Sequence, residues 1–72
     1  MNRSYYVKEI STTGAALTDA TPYGSREAAL RVIIKHMMRR NIAKAWIEDQ
    51  DGHMVMPPED VSAAFEDGEN SN

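Results

Sequence analysis

The sequence predicts an α+β fold: a four-stranded antiparallel sheet with one central helix on one face (ββαββ) and a short C-terminal helix. Three observations carry this expectation. Large apolar residues recur at three- and four-residue spacings between Arg26 and Arg40, Asp51-Gly52 separates two strand-like runs, and Tyr and Val crowd the N-terminal run. A helix with one apolar stripe needs one apolar sheet face to bury it, which makes two layers the economical solution.

The elements follow in order. Residues Arg3 to Ile10 form a first strand, with Tyr5 and Val7 on one face and Tyr6, Lys8 and Ile10 on the other. Ser11-Thr12-Thr13-Gly14 is a turn cluster, and Ala15 to Thr21 makes a second strand whose one large apolar residue is Leu17. Thr21-Pro22-Tyr23-Gly24-Ser25 breaks the chain. Ser25 stands at the N-cap position with Glu27 in the first turn behind it. Along the helix, Leu30, Ile33, Ile34, Met37 and Met38 cover one broad arc, and Arg31, Lys35 and Arg39 line the other side at i, i+4 spacing. Arg39 and Arg40 complement the negative end of the helix dipole, and Asn41 suits the left-handed residue that ends it.

Ala43 to Gln50 reads as the third strand, Asp51-Gly52 as a two-residue turn and His53 to Met56 as the return strand. This register sets Gln50 against His53, Glu48 against Val55 and Ile47 against Met56, with Ala45 and Met54 on the face of Ile47 and Trp46 on the opposite one. A one-residue slip exchanges Trp46 with Ile47 between core and solvent, so the inverse arrangement is the competing one. Pro57-Pro58 stops the strand. Pro58, Glu59 and Asp60 then open a short helix through Val61, Ala64 and Phe65 that ends near Gly68. Residues 1–67 are thus expected to form one domain and 68–72 a disordered acidic tail.

A chain of 72 residues, 42% apolar and without cysteine, sits at the lower size limit for independent folding. With only His36 and His53 as further soft ligands, neither a disulfide framework nor a structural zinc braces it, and stability must come from packing or from a partner. No apolar run approaches the length of a membrane span and the N-terminus lacks a signal-peptide core, so the expected location is cytoplasmic. The net charge of −3 is unevenly spread. Residues 1–46 hold all eight Lys and Arg against three acids, for +5, and residues 47–72 hold eight acids and no base, for −8. A molecule polarised in this way steers charged partners by their sign.

Catalytic chemistry finds little support. A nucleophilic site needs a base held beside its nucleophile, yet His36 on the helix flank and His53 beside a turn have no motif around them and read as ordinary surface residues. Glu48, Asp49 and Asp51 read as a solvated hairpin tip. A calcium loop framed on Asp49-x-Asp51-Gly52 would have Ile47 at its first ligand position and Pro58 at its twelfth, which excludes it. There is no phosphate-binding glycine loop, and the expectation is a protein that is no enzyme, with no cofactor and no metal.

Three features remain as a partner-binding surface. Arg31, Lys35, Arg39 and Arg40, extended by Lys44, would meet phosphates or an acidic protein, or else form the solvated side of the helix. Trp46, on the sheet face away from the helix, is of the residue type most enriched at binding hot spots. Glu48, Asp49 and Asp51 begin an acidic segment, reaching Glu69, that would imitate a nucleic-acid backbone toward a basic protein groove, or simply aid solubility.

The run Ser25-Arg26-Glu27-Ala28-Ala29-Leu30, the basic helix, Ala45-Trp46-Ile47-Glu48-Asp49-Gln50-Asp51-Gly52 and the strand before Pro57-Pro58-Glu59-Asp60-Val61 resemble small bacterial and phage proteins of ββαββ plan, some anti-CRISPR proteins among them. The resemblance is one of layout across most of the chain and transfers no site residue. It implies a compact, non-catalytic inhibitor that sits on a nucleic-acid-handling complex and blocks target access or a required conformational change. Two other readings stand beside it. One is a direct nucleic-acid binder using the basic helix with Tyr5, Tyr6 or Trp46 as stacking groups; the other is an accessory domain that pairs with its own copy through the exposed sheet face.

Overall fold

The computed structural model describes residues 3–39 and 41–70. The chain runs β1 (Tyr5–Ser11), β2 (Ala16–Thr18), α1 (Arg26–Arg39), β3 (Ile42–Asp49), β4 (Met54–Met56) and α2 (Pro58–Asn70). The four strands form one antiparallel sheet in the order β2-β1-β3-β4. This is the expected α+β architecture. The expected second strand is shorter than read, three residues rather than seven, and the C-terminal helix continues past Gly68 to Asn70. Met1, Asn2, Arg40, Ser71 and Asn72 lie outside the described residues.

Both helices pack on one side of the sheet. Alternation along β1 and β3 sends Val7, Glu9, Ala45 and Ile47 to that side, where they meet Ala29 and Ile33 of α1 and Val61 of α2. All seven are buried, and α1 lies over β1 and β3 while α2 lies over β3. The shortest dimension of the Cα frame is 18 Å, the thickness of one sheet layer and one helix layer. Among the large apolar residues of α1, Met38 departs from the expected arc and is 73% exposed.

Local chemistry explains where elements begin. Ser25 caps α1 as expected, its Oγ accepting the Ala28 N–H at 3.1 Å. Pro58 opens α2 and the Pro57 carbonyl accepts the N–H groups of Asp60 and Val61 at 3.0 and 3.2 Å. The β3–β4 turn corrects the two-residue reading. Asp49 N–H donates to the His53 carbonyl and Gly52 N–H to the Asp49 carbonyl, so Gln50, Asp51 and Gly52 form a three-residue loop with Gly52 in the left-handed region at φ 84°. Ser11 to Ala15 repeats the same device, with Gly14 at φ 90°. In each loop the first residue's side chain accepts the N–H four residues on, Ser11 Oγ from Ala15 and Asp49 Oδ1 from His53.

The longer loop changes the pairing beyond it. Met54 pairs with Glu48, on the uncovered face, instead of sharing the face of Ile47. A register shift between Ile47 and Glu48 then restores the expected pair Ile47–Met56 and leaves Val55 unpaired between them, as a bulge does.

Candidate interaction surface

The uncovered sheet face is built by the residues that alternate with the core. β1 supplies Tyr6, Lys8 and Ile10, and β3 supplies Glu48, Trp46 and Lys44 as their cross-strand partners in that order. Met54 of β4 flanks Glu48 and is 52% exposed. Trp46 therefore stands outward and Ile47 inward, as the first of the two expected registers has it, because Val7 pairs with Ile47 in the middle of the sheet. The indole is held in place: Nε1–H donates to Glu48 Oε2 at 2.8 Å, two residues along the same face. A shallow cleft of about 270 Å³ at the hairpin end is lined by Tyr6, Lys8, Glu48, Asp49, Gln50 and Gly52.

The expected partner-binding residues do not form one patch. Arg31, Lys35 and Arg39 are exposed on the side of α1 turned away from Ile33, hence on the opposite surface of the molecule from Trp46. Arg40 lies outside the described residues. Trp46 and Glu48 belong to the open sheet face, and Lys44 joins them there rather than extending the helical stripe. Asp49 and Asp51 sit at the turn. Asp49 is committed to that turn, because Oδ1 accepts the N–H groups of His53 and Asp51 at 2.9 Å each and these bonds hold its carboxyl below the usual carboxylate range. Asp49, Asp51 and His53 offer ligand atoms within 4.8 Å of one another, but the turn accounts for the Asp49 carboxylate and leaves two exposed side chains. Tyr5, a candidate stacking group in the nucleic-acid reading, packs against the core.

No known family model matches the chain, nor does any curated protein or solved structure. Among the described residues, no helix is long and apolar enough to cross a membrane.

One site escaped the sequence reading. His36 is not an ordinary surface residue: its Nδ1 lies 2.7 Å from Oε2 of Glu9, whose side chain is 2% exposed. Nothing near His36 in the sequence signals this, since the partner is 27 positions away and on a different element. The pattern of β1 did hold a clue, because a strict alternation through Tyr5 and Val7 sends Glu9 inward. His53 remains exposed, at 3.6 Å from Asp49 Oδ2.

Near the Glu9–His36 pair, the Tyr23 hydroxyl donates to Asp19 Oδ2 at 2.7 Å and Thr21 N–H to Asp19 Oδ1 at 2.9 Å. The Tyr23 bond, then the Thr21 bond, hold the Asp19 carboxyl below its ordinary range, and the same contact with Asp19 raises Tyr23 above its own. Asp19 thus contributes stability above the unfolded carboxylate value that is lost as pH falls through its lower folded value. Tyr23 contributes stability below its unfolded value, about 10, that is lost as pH rises through its higher folded value. Tyr23→Phe is expected to lower the urea midpoint at neutral pH, with the difference from the parent vanishing at the acid and alkaline extremes. A difference independent of pH would refute this linkage.

Proposed function

We propose that this chain is a small, non-catalytic protein-binding inhibitor of the anti-CRISPR kind, acting in the cytoplasm on a complex that handles nucleic acid. Its interface is the open face of the sheet, with Trp46 as the anchor. The observation that supports this reading is the position of Trp46, near the centre of a face that neither helix covers, between Lys44 and Glu48 on its own strand and opposite Lys8. A Trp oriented by a hydrogen bond and ringed by Tyr6, Ile10 and Met54 has the character of an interface centre, a rigid aromatic within partly apolar surroundings. Glu48 acts there through the indole, as a positioning residue.

The test is co-purification of the tagged chain with candidate nucleic-acid-handling complexes, followed by measurement of their DNA binding. Trp46→Ala is expected to abolish capture, whereas charge reversal of Arg31 and Lys35, on the opposite surface, leaves it intact. Capture that survives Trp46→Ala and is lost on reversal of the helix charges would overturn the assignment of the face.

One observation favours a second reading. Tyr6 and Trp46 share the open face with Lys8 and Lys44, the combination of stacking groups and cations that holds single-stranded nucleic acid. Retention on bare single-stranded DNA that falls steeply with salt would support it in place of the inhibitor.

A further inference from the structure

We infer that two copies of this chain pair face to face through their open sheets, about a two-fold axis that runs parallel to the strands between β1 and β3. The cross-strand register carries the inference. On this face Tyr6 pairs with Glu48, Lys8 with Trp46 and Ile10 with Lys44. An axis in that position lays β1 of one copy over β3 of the other, so every residue meets the type of its own cross-strand partner. Lys8 lies over Trp46 of the partner subunit, an ammonium facing an aromatic ring. Tyr6 faces Glu48 of the partner subunit, a hydroxyl donor facing a carboxylate, and Ile10 meets the aliphatic stem of the partner subunit's Lys44. No like charges oppose one another. A two-fold axis running across the strands through Trp46 would instead place Lys8 over Lys8 of the partner subunit, and that repulsion disfavours it.

The construction of the core points the same way. Its buried apolar residues all lie between the sheet and the two helices, in a chain with no cysteine to brace it. Chains of this size commonly gain the stability they lack by association. Face-to-face sheets pack about 10 Å apart, a gap that side chains of the size of Trp46 and Met54 fill. The inference rests on the reading of the open face as the interface and adds a control to it: a partner must displace the second copy to reach Trp46.

The experiment is sedimentation equilibrium of the full chain over a wide concentration series, with Trp46 fluorescence recorded in parallel. The expected mass rises from 8.1 kDa toward twice that value, and the emission shifts to the blue as the indole leaves water. Trp46→Ala and Lys8→Glu, both on the open face, should remain at the monomer mass with unchanged far-ultraviolet circular dichroism. A mass of 8.1 kDa at every concentration, or a doubling that both variants preserve, would overturn the pairing. Capture of a protein complex through Trp46 by a chain that never pairs would remove this inference alone. Pairing without capture of any complex would remove the inhibitor reading alone.

Discussion

Replacing His36 with alanine should cost this domain about 1 to 3 kcal/mol, the range found when a buried polar group is left without its hydrogen-bond partner. The cause is desolvation. Glu9 has its carboxylate on the covered side of the sheet, 2% exposed, with His36 Nδ1 at 2.7 Å. Among the described residues no buried side-chain nitrogen or oxygen lacks a partner, so the variant creates a vacancy where none exists. A chain of this length has a total stability of roughly 4 to 11 kcal/mol, and the loss is a large part of it. Urea unfolding measures the effect directly. Glu9→Gln should lose less, because the amide carbonyl still accepts the imidazole N–H. A double replacement of Glu9 and His36 by leucine should recover most of the loss, since replacing both hydrogen-bonding partners by apolar groups of similar shape can be nearly neutral. A His36→Ala midpoint equal to that of the parent would show that Glu9 reaches solvent when unpaired.

The second large effect is a contrast between neighbours in the sequence. Ile47→Ala is expected to cost about 2 to 5 kcal/mol, because Ile47 is wholly buried against Val7, Ile33 and Val61 and truncation leaves a cavity. Trp46→Ala removes a larger side chain yet, at concentrations too low for pairing, should cost only about 1 kcal/mol, the scale of a cross-strand pair, because the indole stands on the open face. The reverse ranking in urea melts would mean that β3 is turned over. The contrast also matters for function, since it makes Trp46→Ala a folded variant in which loss of binding can be read as loss of contact.

The readable parts of this fold are those governed by short-range rules. The α1 cap at Ser25, the proline start of α2 and the inward set of Val7, Ala45 and Ile47 follow from local residue type and from a period of two. The β3–β4 turn is one residue longer than Asp51-Gly52, which has the composition of a two-residue turn, leads one to expect. The deciding group is Asp49, whose side chain holds the loop at three residues, and a Ser-x-x-Gly run in the first hairpin repeats the arrangement. Met38 satisfies the helical spacing and is nevertheless exposed, because periodicity gives a direction around the axis and not the width of the surface that covers it. The candidate surface was legible only in part. Two registers stand open for Trp46 in the sequence, and the one that sets it outward holds although the turn that argued for it is one residue longer. With Arg31, Lys35 and Arg39 opposite the apolar arc of α1, that register already puts the basic stripe and the indole on opposite surfaces. The pairing of Glu9 with His36 depends on how α1 docks across β1, a tertiary relation that residue order does not express.

The strand order β2-β1-β3-β4 divides the sheet by loop length. Its two outer pairings each close over a three-residue turn and can form and break locally, on the microsecond scale of hairpins. The central pairing, β1 with β3, closes only after α1 has brought Val7 to Ile47 across forty residues of sequence, and it carries the loop-closure entropy of the whole domain. The folding barrier is therefore expected at the meeting of the two hairpins under the helix. In the native state the amides shared between β1 and β3 are therefore expected to exchange with solvent only through global unfolding, and those of β2 and β4 through cheaper local opening, an ordering that native-state hydrogen exchange checks.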